Sequence, residues 1–316
     1  MRMTHLLTIG IDISKAHLDV FRLSDEQYAR FDNTQDGHKA LLAWLGKPEN
    51  VDCIVYEPTG RYHRAIETLL SRQAYPLVRV NPLQARRFAQ AMGVRAKTDK
   101  VDARMLASMG RALPKDERAI PSEKHNELKE LQIARQALIK DRTAARNRGY
   151  GLSLKLLKRQ NIKRLKQIQK DIEAIEAAMK DIMADDPKLN RHLDILCSIP
   201  GISTISAQAI LVEMPEIGTL SPAAVTSLAG LAPFARESGQ YKGKRFIYGG
   251  RKYLREALYM PALVASRYNP DMKHFYKRLT GKGKPGKLAL TAVMRKLIIL
   301  ANALIKQDRM WTEIRP

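Results

Sequence analysis

The sequence predicts a mixed α/β domain at the N-terminus, a long helical coiled-coil arm, and a mainly α C-terminal domain with a helix-hairpin-helix-like element. Three observations carry this. Short β-rich runs alternate with helical runs over the first hundred residues. Apolar residues then recur at three- and four-residue steps from about 123 to 183 with few Gly or Pro. Beyond that, apolar helical stretches surround one glycine-rich, basic loop. The boundaries fall at 1–120, 121–190 and 191–316.

LLTIGIDIS (6–14) is β-rich and apolar, AHLDVFRLS (16–24) alternates with period two, and YARFDNT (28–34) reads as a third short strand. A helix, DGHKALLAWLG (36–46), leads into the apolar strand VDCIVYEP (51–58). RAIETLLSRQ (helix), PLVRVNP (strand) and LQARRFAQAMG (helix) come next. Three strands in a row and then alternating helix and strand specify a mixed sheet with covering helices. In the arm, Leu128, Leu131, Ala134 and Leu138, then Leu165, Ile168, Ile172, Ile175 and Met179, mark two long helices broken near Gly149 and Gly151. They form either a dimer-making coiled coil or a helical hairpin packed on its own domain. In LCSIPGISTISAQAILVEM (196–214), Pro200-Gly201 separates two apolar helical runs. Such a turn either offers its amides to a phosphate or is a glycine turn buried in a core.

Composition narrows the function. The chain has 55 Lys+Arg against 32 Asp+Glu, a net charge of +23, and an excess of that size implies a polyanionic partner. It is concentrated at 61–120 (+8), 121–190 (+6) and 241–316 (+14), while 1–60 (−3) and 191–240 (−2) are near neutral. Cys53 and Cys197 lie far apart without CxxC spacing, so neither a disulfide framework nor a zinc site is indicated. The N-terminal apolar run is too short for a signal peptide, and no membrane partner is expected.

The carboxylates are the chemical signal. Asp12 sits among apolar strand residues, where a charge is unfavourable unless paired or bound to a cation. Glu57 ends an apolar strand at the edge where α/β folds gather their sites. Asp99 and Asp102, three apart in VRAKTDKVDARMLASM, share one helical face. Four acids from two strands and one helix are what two hard divalent cations need, Mg²⁺ or Mn²⁺, in a phosphoryl-transfer site. Each acid alone also fits a plain pairing with a nearby arginine. His17 and His63 lie near the carboxylates in sequence as supporting or surface groups. Around the loop, Tyr241, Phe246 and Tyr248 interleave with Arg236, Lys242, Lys244, Arg245 and Arg251, a composition suited to nucleic-acid backbone and bases.

In order, GIDISKAHLDV, YEPTGRY and KTDKVDARMLA resemble the Asp-Glu-Asp-Asp signature of the insertion-sequence 110 transposase family. SIPGIS, GLAPFARESGQYKGKRF and GGRKYLREALYM resemble its C-terminal domain, so the resemblance spans nearly the whole chain. It implies an RNase H-like (RuvC-like) N-terminal fold, with Asp12, Glu57, Asp99 and Asp102 as the metal-binding tetrad. It implies Ser238 as the nucleophile that forms a covalent phosphoserine link to DNA. It further implies a structured non-coding guide RNA, the bridge RNA, pairing with donor and target DNA, as in other RNA-guided systems. A homo-oligomer, dimer or tetramer, is implied, in which the acidic domain of one protomer meets the serine domain of another. The setting would be the bacterial cytoplasm, at the nucleoid.

The expected function is a DNA transposase. The alternatives are a site-specific DNA invertase, a RuvC-like junction nuclease using only the metal site, and a non-catalytic nucleic-acid-binding protein. The last gives no reason for Asp12.

Overall fold

The computed structural model describes residues 6–94, 98–113, 122–235, 237–238, 241–243 and 245–312. The chain divides into two compact units, Met1–Ile120 and Pro121–Pro316.

In the first unit, β1 (Leu7–Ile13), β2 (His17–Arg22) and β3 (Gln27–Asp32) form an antiparallel meander. After α1 (Gln35–Leu45), β4 (Val51–Tyr56) pairs parallel to β1. After α2 (Arg64–Arg72), β5 (Leu77–Arg79) pairs parallel to β4, giving the order β3-β2-β1-β4-β5. α3 (Pro82–Ala91) and α4 (Asp99–Ala112) complete the unit.

Strand alternation divides the sheet into two packed faces. Ile9, Ile11, Ile13, Leu18, Val20, Ile54 and Tyr56 pack with Leu41 and Leu45 of α1 and Ile66 and Leu70 of α2. On the other face, Cys53, Val55 and Val78 meet Leu106 and Met109, and Phe21 meets Ala103 and Ala107, all from α4. α4 lies unusually close to the strands. A Cβ on Gly10 would fall 2.1 Å from the Ala103 carbonyl oxygen, and one on Gly110 would fall 2.4 Å from Val55 Cγ2. Two absent side chains therefore seat the helix on β1 and β4.

In the second unit, α5 (Glu123–Tyr150) and α6 (Lys155–Ala184) are the two long helices of the arm, separated by residues 151–154. Arg135 pairs with Glu176 at 2.6 Å, and Asn161 Nδ2 donates to the Ala145 carbonyl at 3.1 Å. The root of the arm is continuous with the C-terminal helices. Leu128, Met179 and Met183 join their core, and Lys129 Nζ lies 2.7 Å from the buried Glu213 carboxylate.

α7 (Pro187–Cys197) and α8 (Thr204–Glu213) flank the Pro-Gly turn. Gly201 has φ +110°, and a Cβ there would lie 2.8 Å from Ala265, so this glycine serves close packing on a later helix. α9 (Pro222–Leu228) precedes the ribbons β6 (Pro233–Phe234) with β9 (Phe246–Ile247) and β7 (Glu237–Ser238) with β8 (Tyr241–Lys242). α10 (Lys252–Tyr268), α11 (Pro270–Gly281) and α12 (Gly286–Lys306) close the unit. α12 is long and apolar enough to cross a membrane by composition, yet Val293, Leu297, Ile298, Ala301 and Leu304 are fully buried in the core of this unit.

Candidate carboxylate centre and nucleic-acid interface

Three strands deliver acids to the face that α4 covers. Ile11 and Ile13 enter the α1/α2 core, so Asp12 between them is on the α4 side. In the β1–β2 register Asp12 faces Asp19, whose neighbour two residues on, Phe21, packs against α4. Glu57 succeeds β4 on the alternation of Cys53 and Val55, which also face α4. α4 begins at Asp99, capped by Thr98 Oγ1 accepting from the Val101 amide at 3.3 Å, and places Asp102 one turn on.

The Asp12 carboxyl is pushed up to about 6, first by burial and then by the negative charges of Asp102, Asp99, Asp19 and Glu57. All four acids anticipated from the sequence are thus within electrostatic reach of one centre. Two participants escaped the sequence reading. Asp19 is 2 % exposed, accepting from Arg30 Nε at 2.8 Å and from the Tyr28 hydroxyl. Arg30 Nη2 also donates to Asp99 Oδ2 at 2.7 Å, so one guanidinium bridges β2 and the start of α4. The period-two pattern of AHLDVFRLS held the signal for Asp19; nothing local marked Arg30. Arg95 and Lys97 of the same basic stretch lie outside the described residues.

As the side chains stand, no three His, Cys, Asp or Glu among the described residues are grouped to hold a metal ion. The donor chemistry nevertheless fits one. The acids are oxygen donors suited to a hard divalent cation, and their mutual repulsion is what such a cation relieves.

Behind Glu57 lies a buried polar network. The Tyr56 hydroxyl donates to Glu67, and Arg79 Nη2 sits 2.6 Å from His63 Nε2 and 3.1 Å from Glu67 Oε1. Burial and the Arg79 charge hold His63 below the ordinary histidine range, which keeps it neutral. His17 is half-exposed beside Asp32 at 3.2 Å.

In the second unit, Ser238 is exposed at the end of β7, paired with Tyr241 across the hairpin. Exposed Phe234, Phe246 and Tyr248 cluster nearby, with centroids 6.4 and 6.5 Å apart from Phe234. Arg245 is exposed next to them, and Lys242 lies in β8. Arg236 and Lys244 lie outside the described residues. Arg251 has a different engagement from the phosphate contact expected of it. Its guanidinium makes a bidentate pair with Glu216 at 2.8 and 2.6 Å and donates to the Glu213 carbonyl at 2.6 Å.

Comparison with known proteins accords with this layout. Residues 9–152 match the family model of the DEDD transposase of IS110 elements, described as "Transposase". Residues 193–277 match "Transposase IS116/IS110/IS902 family". The chain is 31 % identical to the "Pilin gene-inverting protein" of Moraxella bovis over 317 residues, covering 95 % of this chain and 96 % of that protein. The Moraxella lacunata protein of the same name gives the same identity and coverage. An "Insertion element IS110 uncharacterized 43.6 kDa protein" of Streptomyces coelicolor is 26 % identical over 155 residues, 48 % of this chain and 37 % of that one.

Proposed function

Because the chain belongs to the IS110 family of transposases, and is therefore a DNA recombinase, we propose that it cuts and rejoins donor and target DNA with Ser238 and a carboxylate-held divalent cation. Asp12, Glu57, Asp99 and Asp102 would hold Mg²⁺ or Mn²⁺, with Asp19 and Arg30 setting their positions. The observation that carries this is the convergence of carboxylates from β2, the end of β4 and α4 on half-buried Asp12 of β1. The strand order, with three antiparallel strands and two added parallel to β1, supports an RNase H-like, RuvC-like reading of the first unit.

When bound, the cation would neutralise charge developing on phosphate oxygens. The protein's own part lies in its side chains. Ser238 Oγ attacks phosphorus, the Oγ–P bond forms as the bond to the departing strand breaks, and the hydroxyl proton ends on the departing oxygen. A strand hydroxyl then reverses the step on the new partner. Arg236, Lys242, Lys244 and Arg245 contact phosphate, while exposed Phe234, Phe246 and Tyr248 offer faces to unstacked bases. The +23 charge supports a second nucleic acid, a structured non-coding guide RNA, with sequence choice delegated to pairing. The two long arm helices support a homo-oligomer.

The test is covalent capture on a denaturing gel, with divalent metal, the flanking non-coding RNA and donor and target DNA. A protein–DNA adduct that needs RNA and is lost in Ser238→Ala and Asp102→Ala is the expected result. Cleavage without an adduct, indifferent to Ser238→Ala, would leave a junction nuclease instead. The Moraxella relatives, named for pilin gene inversion, favour a second reading, site-specific inversion. A plasmid bearing both sites separates the two by whether a segment is inverted or an element inserted.

A further inference from the structure

Asn33, one residue past β3, holds together the two loops that leave the acid-bearing strands. Its Nδ2 donates to the Ser14 carbonyl at 2.9 Å and to the Tyr62 carbonyl at 3.1 Å. Ser14 is two residues beyond Asp12, and Tyr62 is in the loop that leaves Glu57. The remaining polar atom, Oδ1, lies 2.8 Å from His38 Nε2. With both amide protons committed to carbonyls, Oδ1 is the acceptor and His38 Nε2 carries the donated proton.

The surrounding chain is built to present this amide. The Asn33 amide nitrogen donates to the Ala16 carbonyl at 2.7 Å, which fixes its backbone to the β1–β2 hairpin. His38 is 6 % exposed on the first turn of α1. The chain reverses tightly enough to bring it there because residue 37 is glycine, where a Cβ would fall 2.0 Å from the Asp32 carbonyl oxygen. Thr34 caps the helix by accepting from the Gly37 amide at 3.3 Å. Every donor and acceptor of the Asn33 side chain is therefore used, on three different segments.

We propose that Asn33, oriented by His38, is a positioning residue that fixes the spacing of Asp12 and Glu57 by tying the Ser14 and Tyr62 loops together. The inference rests on the reading of Asp12 and Glu57 as cation ligands. Groups one shell beyond metal ligands typically change affinity by about 10–100-fold when removed. Neither aspartate nor alanine at 33 can donate to the two carbonyls, and aspartate sets an anion against them.

The experiment uses the full chain. Mn²⁺ affinity is measured by calorimetry, and amide hydrogen exchange is read at Ser14 and Tyr62 without metal. Asn33→Asp and Asn33→Ala should weaken Mn²⁺ binding about tenfold or more and speed exchange in both loops. His38→Gln, which keeps a donor near the position of Nε2, should bind close to the native level, whereas His38→Phe should resemble Asn33→Ala. Leu45→Ala, on the buried face of α1, should lower stability and leave Mn²⁺ affinity alone, which separates positioning from general loosening. Native Mn²⁺ affinity in Asn33→Asp, alongside abolished binding in Asp12→Asn, would overturn the clamp while sparing the ligand reading. No Mn²⁺ binding by the native chain would overturn the ligand reading and this inference with it. Unchanged exchange in both Asn33 variants would overturn the clamp whatever the metal result.

Discussion

Asp12 and Asp19 face each other directly across the β1–β2 pair, and among the described residues only Asp19 of the two has an ion pair, with Arg30 at 2.8 Å. Two carboxylates opposite one another on a covered face are unfavourable for folding. The Asp12 carboxyl is pushed up to about 6, first by burial, then by Asp102 and Asp99, with Asp19 adding to them.

Asp12→Asn should therefore stabilise the metal-free chain while abolishing strand transfer. The folded value lies above the ordinary 3.8, so the folded state binds the extra proton. The associated stability is present below about 4 and is lost as pH rises through about 6. A shift of about two units corresponds to about 3 kcal/mol at most, and partial exposure reduces it to about 1 kcal/mol. Urea unfolding in chelator should show native and variant alike at pH 4 and the variant ahead at pH 7.5. Equal midpoints at both pH values would contradict the account.

Arg30→Gln should lower the urea midpoint, because it strands Asp19, which is 2 % exposed, without its counter-charge. The double variant Arg30→Gln, Asp19→Asn should recover much of the loss, since the buried charge is then gone. If the double variant is as weak as the two single losses added, the bridge does not act through Asp19.

Gly10→Ala should be worse than Gly110→Ala. The new methyl at 10 meets the backbone of α4, 2.1 Å from the Ala103 oxygen, which yields only if the helix moves. At 110 it meets side-chain atoms of buried Val55, Cys53 and Thr8 and no backbone atom among its nearest contacts. Overpacking of this kind costs about 1–3 kcal/mol. The larger effect at Gly10 should be on the chemistry, about 100-fold for an ångström of displacement of Asp99 and Asp102. Strand-transfer rates and thermal melts of the two variants check this.

Arg251→Ala should act through the fold more than through DNA. Its loss removes the two-pronged ion pair to Glu216 and the donor to the Glu213 carbonyl, a cost of about 1–3 kcal/mol. Lysine should not restore it, because a single ammonium cannot make the two-pronged contact. Arg245→Ala should instead reduce the salt dependence of DNA binding by about one ion. Filter binding across a salt series, with a parallel melt, distinguishes the two arginines.

Much of the first unit was legible because strand alternation is a strict rule. The apolar partners of Asp12 and Glu57 declare which side of the sheet those acids take, and Asp99 and Asp102 share a helical face by spacing alone. The long arm was legible for the same reason, its breaks falling at glycines. Long-range pairing was not. Arg30 meets Asp99 across 69 positions, and Arg251 meets Glu216 across 35, and no local pattern selects either pair among many basic residues. The Pro200-Gly201 turn left two readings open, and only the placement of Ala265 beside Gly201 shows the glycine engaged in packing. The ribbon around Ser238 was legible as a basic, aromatic loop, but its two short strand pairs depend on cross-chain register.

The arm has the build of a lever, fastened at its root and helical along its length. Lys129 and Glu213, with Leu128, Met179 and Met183, fix one end into the C-terminal core. From Lys129 to Tyr150 the helix α5 runs on for about 32 Å at 1.5 Å per residue. A turn of about 10° at that root would carry the far end through about 5–6 Å, more than one base-pair step of DNA. Any small repacking among the C-terminal helices would thereby be amplified into a displacement on the scale of the nucleic acid itself.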